Sequence, residues 1–180
     1  MAISPSEQQQ RWQKIVLSVR KEILSLSADE RQWIEHQLSL IENLQLEIHD
    51  LFLSAEGQQA CLHCQGSCCE LGQNHMTLAN LLAAIMSDHL PAAHFERTCP
   101  FLGDEGCTLD VAIRPYNCIT FLCDSIEEAL SVEEQNRFYQ LEQQLRSLYI
   151  AFDRRYIGSS LQGLLIRSQS MAGSLFLARR

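Results

Sequence analysis

Residues 27–54 read SADERQWIEHQLSLIENLQLEIHDLFLS, and this stretch decides the fold class. Ser27 followed three residues later by Glu30 has the form of a capping box, in which the hydroxyl accepts from an unpaired N–H of the first turn and the carboxylate reaches back to the cap. Behind it Ile34, Leu38, Ile41, Leu44, Ile48, Leu51 and Phe52 recur at three- and four-residue steps. That spacing puts them on one face of a long helix reaching about residue 54. The same signals recur on both sides. Upstream, Ser4-Pro5-Ser6-Glu7 combines a cap, a proline for the first helical position and a returning carboxylate, and Trp12, Ile15, Val16, Val19, Ile23 and Leu24 form an apolar stripe. The two helices are expected to form an antiparallel hairpin. Downstream, Ser131-Val132-Glu133-Glu134 opens a helix faced by Phe138, Leu141, Leu145, Leu148, Tyr149 and Phe152 and broken at Gly158-Ser159-Ser160. Leu78, Leu81, Leu82 and Ile85 predict a short helix over residues 77–86, and Leu161, Leu164, Leu165, Met171, Leu175 and Phe176 a weaker final one. The expectation is an all-α, single-domain helical bundle over residues 1–180. A helical hairpin occupies 1–56, a two-part cysteine-rich metal-binding loop region 57–124, and C-terminal helices 125–180.

Composition limits the function. With 180 residues, 46% of them hydrophobic, the chain can bury a sizeable core, so its eight cysteines need a reason beyond bare stability. The net charge is −8, with four basic groups against Glu7 in residues 1–21 and five Arg against Asp153 in residues 153–180, which leaves residues 22–152 at about −15. So acidic a middle argues against a nucleic-acid partner, because phosphate binding rests on clustered Lys and Arg. If the basic ends at Arg20, Lys21, Arg154, Arg155, Arg179 and Arg180 meet in space, they offer an acidic partner a docking face. No stretch approaches the roughly 18 apolar residues of a membrane span, and the polar N-terminus lacks the pattern of an export signal. The chain therefore reads as cytoplasmic.

The chemistry is concentrated in two irregular segments. The first is Cys61-Leu-His-Cys64-Gln-Gly-Ser-Cys68-Cys69, or C-x2-C-x3-C-C; the second runs Cys99-Pro-Phe-Leu-Gly-Asp-Glu-Gly-Cys107, then Arg114-Pro115-Tyr-Asn-Cys118 and Cys123. A C-x2-C turn brings two thiolates to one ion while backbone amides face the sulfurs. The side chains of adjacent Cys68 and Cys69 diverge, so both serve one centre only if the backbone bends sharply, with Gly66 supplying freedom, or one of them serves a second ion. Eight cysteines make two complete four-thiolate sites, or one site plus four cysteines with other tasks. Disulfides fit poorly, since an adjacent pair is a poor staple, and buried apolar thiols belong on helix faces rather than in Gly- and Pro-punctuated loops.

The order C-x2-C-x3-C-C, C-P-F-L, G-C and R-P-x-x-C over residues 61–123 resembles the YkgJ-like cysteine-cluster family of bacterial proteins, described as zinc- or iron-chelating domains. The resemblance includes Pro100, Phe101, Leu102, Gly106, Arg114 and Pro115. The same cysteine block occurs in the longer flagellin lysine methylases, reported to carry an iron-sulfur cluster; their methylase activity is not carried over to this shorter chain. In the family Arg commonly follows the cysteine of R-P-x-x-C, whereas here Ile119 follows Cys118. That departure bears on cluster charge and partner choice.

Spacing alone does not separate zinc from iron and sulfur. The crowding of thiolates in nine residues and the longer relatives favour an iron-sulfur cluster, with zinc as the alternative. Arg114, a cation close to Cys118, is the candidate to neutralise the negative charge of such a centre. His63, His75, His89 and His94 read as surface or supporting residues, with His63 placed to tune a centre, and Asp104 and Glu105 as a solvated turn. The cysteines of radical enzymes that use S-adenosylmethionine run C-x3-C-x2-C, the reverse of this order, and no hydrolase triad or nucleotide loop is present. The expected protein is a metal-binding one with a redox, sensing or metal-delivery role. The alternative is a zinc-stabilised module whose helices recognise a protein partner without catalysis.

Overall fold

The computed structural model describes residues 4–64, 67–157, 160–170 and 175–179; Gly66, Gly158, Ser159, Met171 and Arg180 lie outside them. Helix α1 (Pro5–Leu24) starts on the expected box, with Ser4 Oγ accepting from the Glu7 N–H at 3.3 Å and the Glu7 carboxylate accepting from the Ser4 N–H at 3.1 Å. Helix α7 (Val132–Arg155) starts the same way on Ser131 and Glu134. Helix α2 (Ala28–Ser54) keeps only half of its box. Ser27 caps the Glu30 N–H at 3.3 Å, while the Glu30 carboxylate turns into the interior. The remaining helices are α3 (Gly57–His63), α4 (Leu78–Met86), α5 (Tyr116–Thr120), α6 (Asp124–Glu127) and α8 (Leu161–Ser170), with 3-10 helices at Cys69–Asn74 and Val111–Ile113. The fold is all-α; among the described residues the only sheet is the two-stranded antiparallel hairpin of β1 (Leu102–Gly103) and β2 (Gly106–Cys107). The two segments expected as loops are therefore partly helical.

The axis of the bundle is the antiparallel pair α2 and α7. Ile34, Ile41 and Ile48 recur every seven residues along α2 and are buried with Phe138, Leu141, Leu145 and Phe152 of α7. Trp33 lies 5.1 Å from the Phe152 ring, Arg137 pairs with Glu47, and Ser54 Oγ donates to Glu134 at 3.2 Å. Burying each such aliphatic side chain stabilises the fold by about 1.5–3 kcal/mol. Helix α4 is apolar on almost every side and sits between α1 and the Val111–Ile113 turn, as a helix without a polar face must.

The expected hairpin of α1 with α2 does not form over the length of the helices. Helix α1 packs instead on α4 and α8. Its stripe carries Trp12, whose ring takes the edges of Phe95 and Phe101 at 6.5 and 6.1 Å, whereas the stripe of α2 is filled by α7. Two apolar faces joined by a short turn share one core here without sharing each other.

Glu22 and Glu30, both buried, tie down the C-terminal residues. Glu22 accepts from the Leu177 N–H at 2.7 Å. Glu30 receives Arg155 Nε at 2.8 Å, the Tyr156 hydroxyl and Arg179, while Tyr156 and Arg179 form an antiparallel bridge. Two of the basic residues at the chain ends thus meet, but on a buried carboxylate rather than as an open patch. Arg20 pairs separately with Asp88. Glu30→Ala removes a charged acceptor serving three donors and is expected to lower unfolding free energy by about 2–3 kcal/mol in urea titrations. Arg20→Ala, at an exposed pair, should cost less than about 1 kcal/mol.

Candidate metal centre

The cysteines are delivered by short elements hung on one end of the bundle. Helix α2 ends at Ser54, Glu56 just beyond it takes a left-handed conformation (φ 52°), and a Cβ on Gly57 would lie 2.4 Å from the Phe52 ring. A small residue there lets the chain turn back at once into α3, which carries Cys61 and is C-capped by Cys64. The Cys64 thiol donates to the Cys61 carbonyl at 3.5 Å. Cys68 and Cys69 open the 3-10 helix Cys69–Asn74. Cys99 leads into the β-hairpin, which returns with Cys107 opposite Leu102, and Gly106 makes its turn at φ 114°. Cys118 sits in α5 and Cys123 N-caps α6.

No disulfide joins any of the eight cysteines. Burial pushes the Cys61 thiol up, and so do the neighbouring Cys64, Cys68 and Cys123; Arg114 pulls it the other way. Cys69 is pushed up to about 12, first by burial and then by Cys68, to whose thiol it is hydrogen-bonded, and by Cys107 and Cys61. Cys118 also reaches about 12, through burial and the proximity of Cys107, Cys99 and Cys69, again opposed by Arg114. Its surface opens into a concave site, where surrounding protein weakens hydration even of an accessible sulfur. Burial raises Cys99 as well, while the Phe101 and Leu102 amides face its sulfur and favour the thiolate. Amide-to-sulfur contacts are expected at the C-x2-C turn; here they occur at C-P-F-L. Thiols so crowded cannot ionise together unless a cation joins them. Among the described residues no three His, Cys, Asp or Glu side chains already close around a single ion position.

A cavity of about 480 Å³ opens beside the thiols. Cys61, Cys64, Cys68, Cys69, Cys118 and Cys123 line it together with Arg114 and apolar side chains including Phe52, Phe121, Ile126 and Phe138; Cys99 and Cys107 do not line it. His75, rather than His63, is the histidine at a thiol: its Nδ1 lies 3.4 Å from Cys118 Sγ, and burial lowers its pKa. His63 Nδ1 is engaged by the Gln59 carbonyl at 2.9 Å and His89 Nδ1 by that of Ser87 at 2.6 Å, and His94 is exposed. Asp104 and Glu105 form the tip of the β-hairpin, with Asp104 paired to Arg97 at 2.8 Å.

The segment that carries Arg114 and Cys118 is fixed by residues the sequence did not mark as functional. Gln45 Nε2 donates to the Arg114 carbonyl at 2.6 Å; Asn80 Nδ2 donates to it at 3.0 Å, to the Ile113 carbonyl at 3.3 Å and to the Tyr149 hydroxyl at 2.8 Å. The Asn80 Oδ1 is taken by Thr77, through its N–H and its hydroxyl. Arg114 Nε donates to the Leu109 carbonyl at 3.1 Å. Tyr116 donates to Glu142 and receives Arg146 Nε at 3.1 Å, holding α5 to α7. Ile119 is buried in the main core. One signal for Asn80 was present in the sequence: it is a polar residue inside the otherwise apolar run Leu78–Met86.

Asn80→Ala removes the donor of the Ile113 carbonyl and one of the two donors shared by the Arg114 carbonyl and the Tyr149 hydroxyl, which keep Gln45, and is expected to cost about 1–3 kcal/mol in urea unfolding. Because it loosens the Arg114 segment, it should also accelerate alkylation of Cys118 by N-ethylmaleimide while leaving Cys61 unchanged. Equal acceleration at both would show that Asn80 stabilises the whole fold without positioning this segment. No protein-family model, curated protein or solved structure matches the chain.

Proposed function

We propose that the protein binds metal through Cys61, Cys64, Cys68, Cys69, Cys99, Cys107, Cys118 and Cys123, as an iron-sulfur cluster in the leading form, and serves in redox chemistry, sensing or metal delivery. The observation that supports this reading is that six free thiols from two distant segments line one cavity, with Cys99 and Cys107 near enough to act on Cys118 and no disulfide among the eight. The donor set fits: it consists of soft thiols suited to zinc or iron-sulfur, and the amides at Cys99 and the guanidinium of Arg114 act against the burial that keeps these thiols protonated. The resemblance to the YkgJ-like cysteine-cluster family rests on the cysteine motif and implies the same chemistry. When bound, an iron-sulfur cluster would supply reversible one-electron storage. Within the chain, Arg114 offsets negative charge beside Cys61 and Cys118, and the Gln45 and Asn80 amides hold its backbone in place.

The second reading, a zinc-stabilised module that binds a protein partner, is favoured by the exposed apolar side chains of this region, with Leu62 and Leu71 each 75% exposed and Phe121 57%. Neither reading involves nucleic acid, since Arg155 and Arg179 are spent on Glu30. Among the described residues no helix is long and apolar enough to cross a membrane. A cytoplasmic site is proposed from the free-thiol chemistry.

Protein purified anaerobically from cells supplied with iron and zinc should contain iron with matching acid-labile sulfide and a broad absorption near ~400 nm. Zinc without colour would select the second reading, and protein lacking iron, zinc and sulfide would overturn both. Metal removal by a chelator should leave far-ultraviolet circular dichroism nearly unchanged, because α2 and α7 pack without the cysteines. Limited proteolysis of the stripped protein should then cut within residues 61–75 and 97–123, where the intact protein resists.

A further inference from the structure

Of the five cations within the acidic residues 22–152, Arg97, Arg137 and Arg146 each pair with a carboxylate. Arg31 gives its guanidinium to the Ile23 carbonyl at 2.6 Å, at the C-terminal end of α1, where a helix gathers partial negative charge. Arg114 has no such counter-charge among the described residues. Its side-chain hydrogen bond, from Nε to the Leu109 carbonyl at 3.1 Å, leaves both terminal nitrogens for a ligand. Arg114 is half-buried and lines the cavity of about 480 Å³. A guanidinium so placed is costly without an anion, yet its backbone is held there by Gln45 and Asn80. Among the described residues no Asp or Glu lines the cavity, although the chain has 22 of them. The wall is apolar instead. Phe52, on which His49 stacks at 5.5 Å, faces it with Ile126 and Phe138. Leu71 and Phe121 also belong to the lining and are 75% and 57% exposed, apolar surface that the fold itself leaves in water.

We infer that this cavity binds a small organic carboxylate, its head group on the Arg114 guanidinium and its alkyl or aromatic body against Phe52, Phe121 and Ile126. The volume lies within the roughly 300–1,000 Å³ of small-molecule sites, which are typically apolar with a few polar groups that fix orientation. The planar fork of an arginine matches the two oxygens of a carboxylate. Arg114 is the one residue of fixed charge in the lining, so the head group is a monoanion rather than a phosphate dianion. A metal–thiolate centre would also face Arg114 with negative charge, but an apolar wall adds nothing to such a centre. The wall is what selects an organic body. Burial of that body supplies affinity, and the ion pair supplies selectivity for the charged form. The inference goes beyond the metal-binding reading and does not rest on it, since it needs Arg114 and the apolar wall but no ion.

The test is a calorimetric titration of the full-length protein, as purified under reducing conditions, with two probes of one shape: naphthalene-1-acetate and its neutral amide, naphthalene-1-acetamide. The carboxylate should bind one to one and about tenfold more tightly than the amide. Arg114→Gln should bring the two probes to equal affinity, while Arg114→Lys, which keeps the charge without the fork, should retain part of the difference. Phe121→Ala, at an exposed position, should weaken both probes by a similar factor and leave their ratio unchanged. A measurement on wild-type protein guards against misfolded variants: saturating carboxylate should slow hydrogen–deuterium exchange within residues 114–126 and leave residues 5–24 unchanged. Absence of carboxylate binding, equal binding of the two probes to wild type, a preference that survives in Arg114→Gln, or exchange slowed equally along the whole chain overturns the inference. Metal and acid-labile sulfide are measured on the same preparation. Bound metal without a preference for the carboxylate overturns this inference and leaves the metal-binding reading, whereas a preference in protein that holds no metal does the reverse.

Discussion

The carbonyl of Arg114 is the constraint on which the site depends. It accepts from two buried amides, Gln45 in α2 and Asn80 in α4, and Asn80 also holds the hydroxyl of Tyr149 in α7. Two elements of the scaffold thus converge on one peptide group, and α7 joins them through the Tyr149 hydroxyl. That group lies at the entrance to α5, so the clamp fixes where Cys118 and the Arg114 guanidinium stand relative to the helices. An amide buried in an apolar helix is costly unless all of its hydrogen-bonding capacity is used. Asn80 meets that condition by bonding Thr77 through its oxygen and the Arg114 segment and Tyr149 through its nitrogen. Displacing the segment would take the Ile113 and Arg114 carbonyls from buried amides of two helices at once, which holds this short stretch of backbone in place.

The far end of the same helix pair solves a different problem by similar means. Glu30 at the start of α2 collects Arg155, Tyr156 and Arg179, and Arg155 also lies 4.2 Å over the Trp33 ring. A buried carboxylate with several donors gives specificity more than net stability, because its desolvation offsets most of the attraction. Its effect is positional, closing the C-terminal residues over the bundle. The long helices therefore carry polar anchors at both ends and apolar packing between them, and the thiol-bearing elements attach at the end opposite Glu30.

The sequence made the long helices legible because each begins with a cap and continues with a regular apolar stripe, two signals that are local to the chain. Partner choice is not local. The stripes of α1 and α2 carry nothing that says which other stripe each will meet, and a short connection suggested a hairpin where α7 and α8 are the partners. The cysteine motif was equally plain, yet the helices inside it were hidden, since α3 has only seven residues and too few apolar positions to show a period. His75 could not be told from His63, because proximity to Cys118 depends on a contact across 43 residues of chain. The Glu30 box was misleading for a related reason: the pattern that predicts a return to the cap also suits a carboxylate claimed by distant arginines.

The burial of Ile119 follows from the way α5 sits. Pro115 accepts from the amides of both Cys118 and Ile119, which starts a single tight turn in which Cys118 and Ile119 both line the cavity and Ile119 is also packed into the core. At a position 8% exposed among apolar neighbours, burying an isoleucine is worth about 1.5–3 kcal/mol, whereas an unpaired guanidinium would bring a large desolvation cost. Positive charge near Cys118 must then come from elsewhere. Arg114 supplies it from one turn upstream, its Nε held by the Leu109 carbonyl and its own carbonyl held by Gln45 and Asn80. Fixed at both ends, that side chain acts on Cys61 and Cys118 alike, so one cation reaches thiols from both halves of the motif. The clamp on the Arg114 backbone is thereby an electrostatic device as well as a structural one.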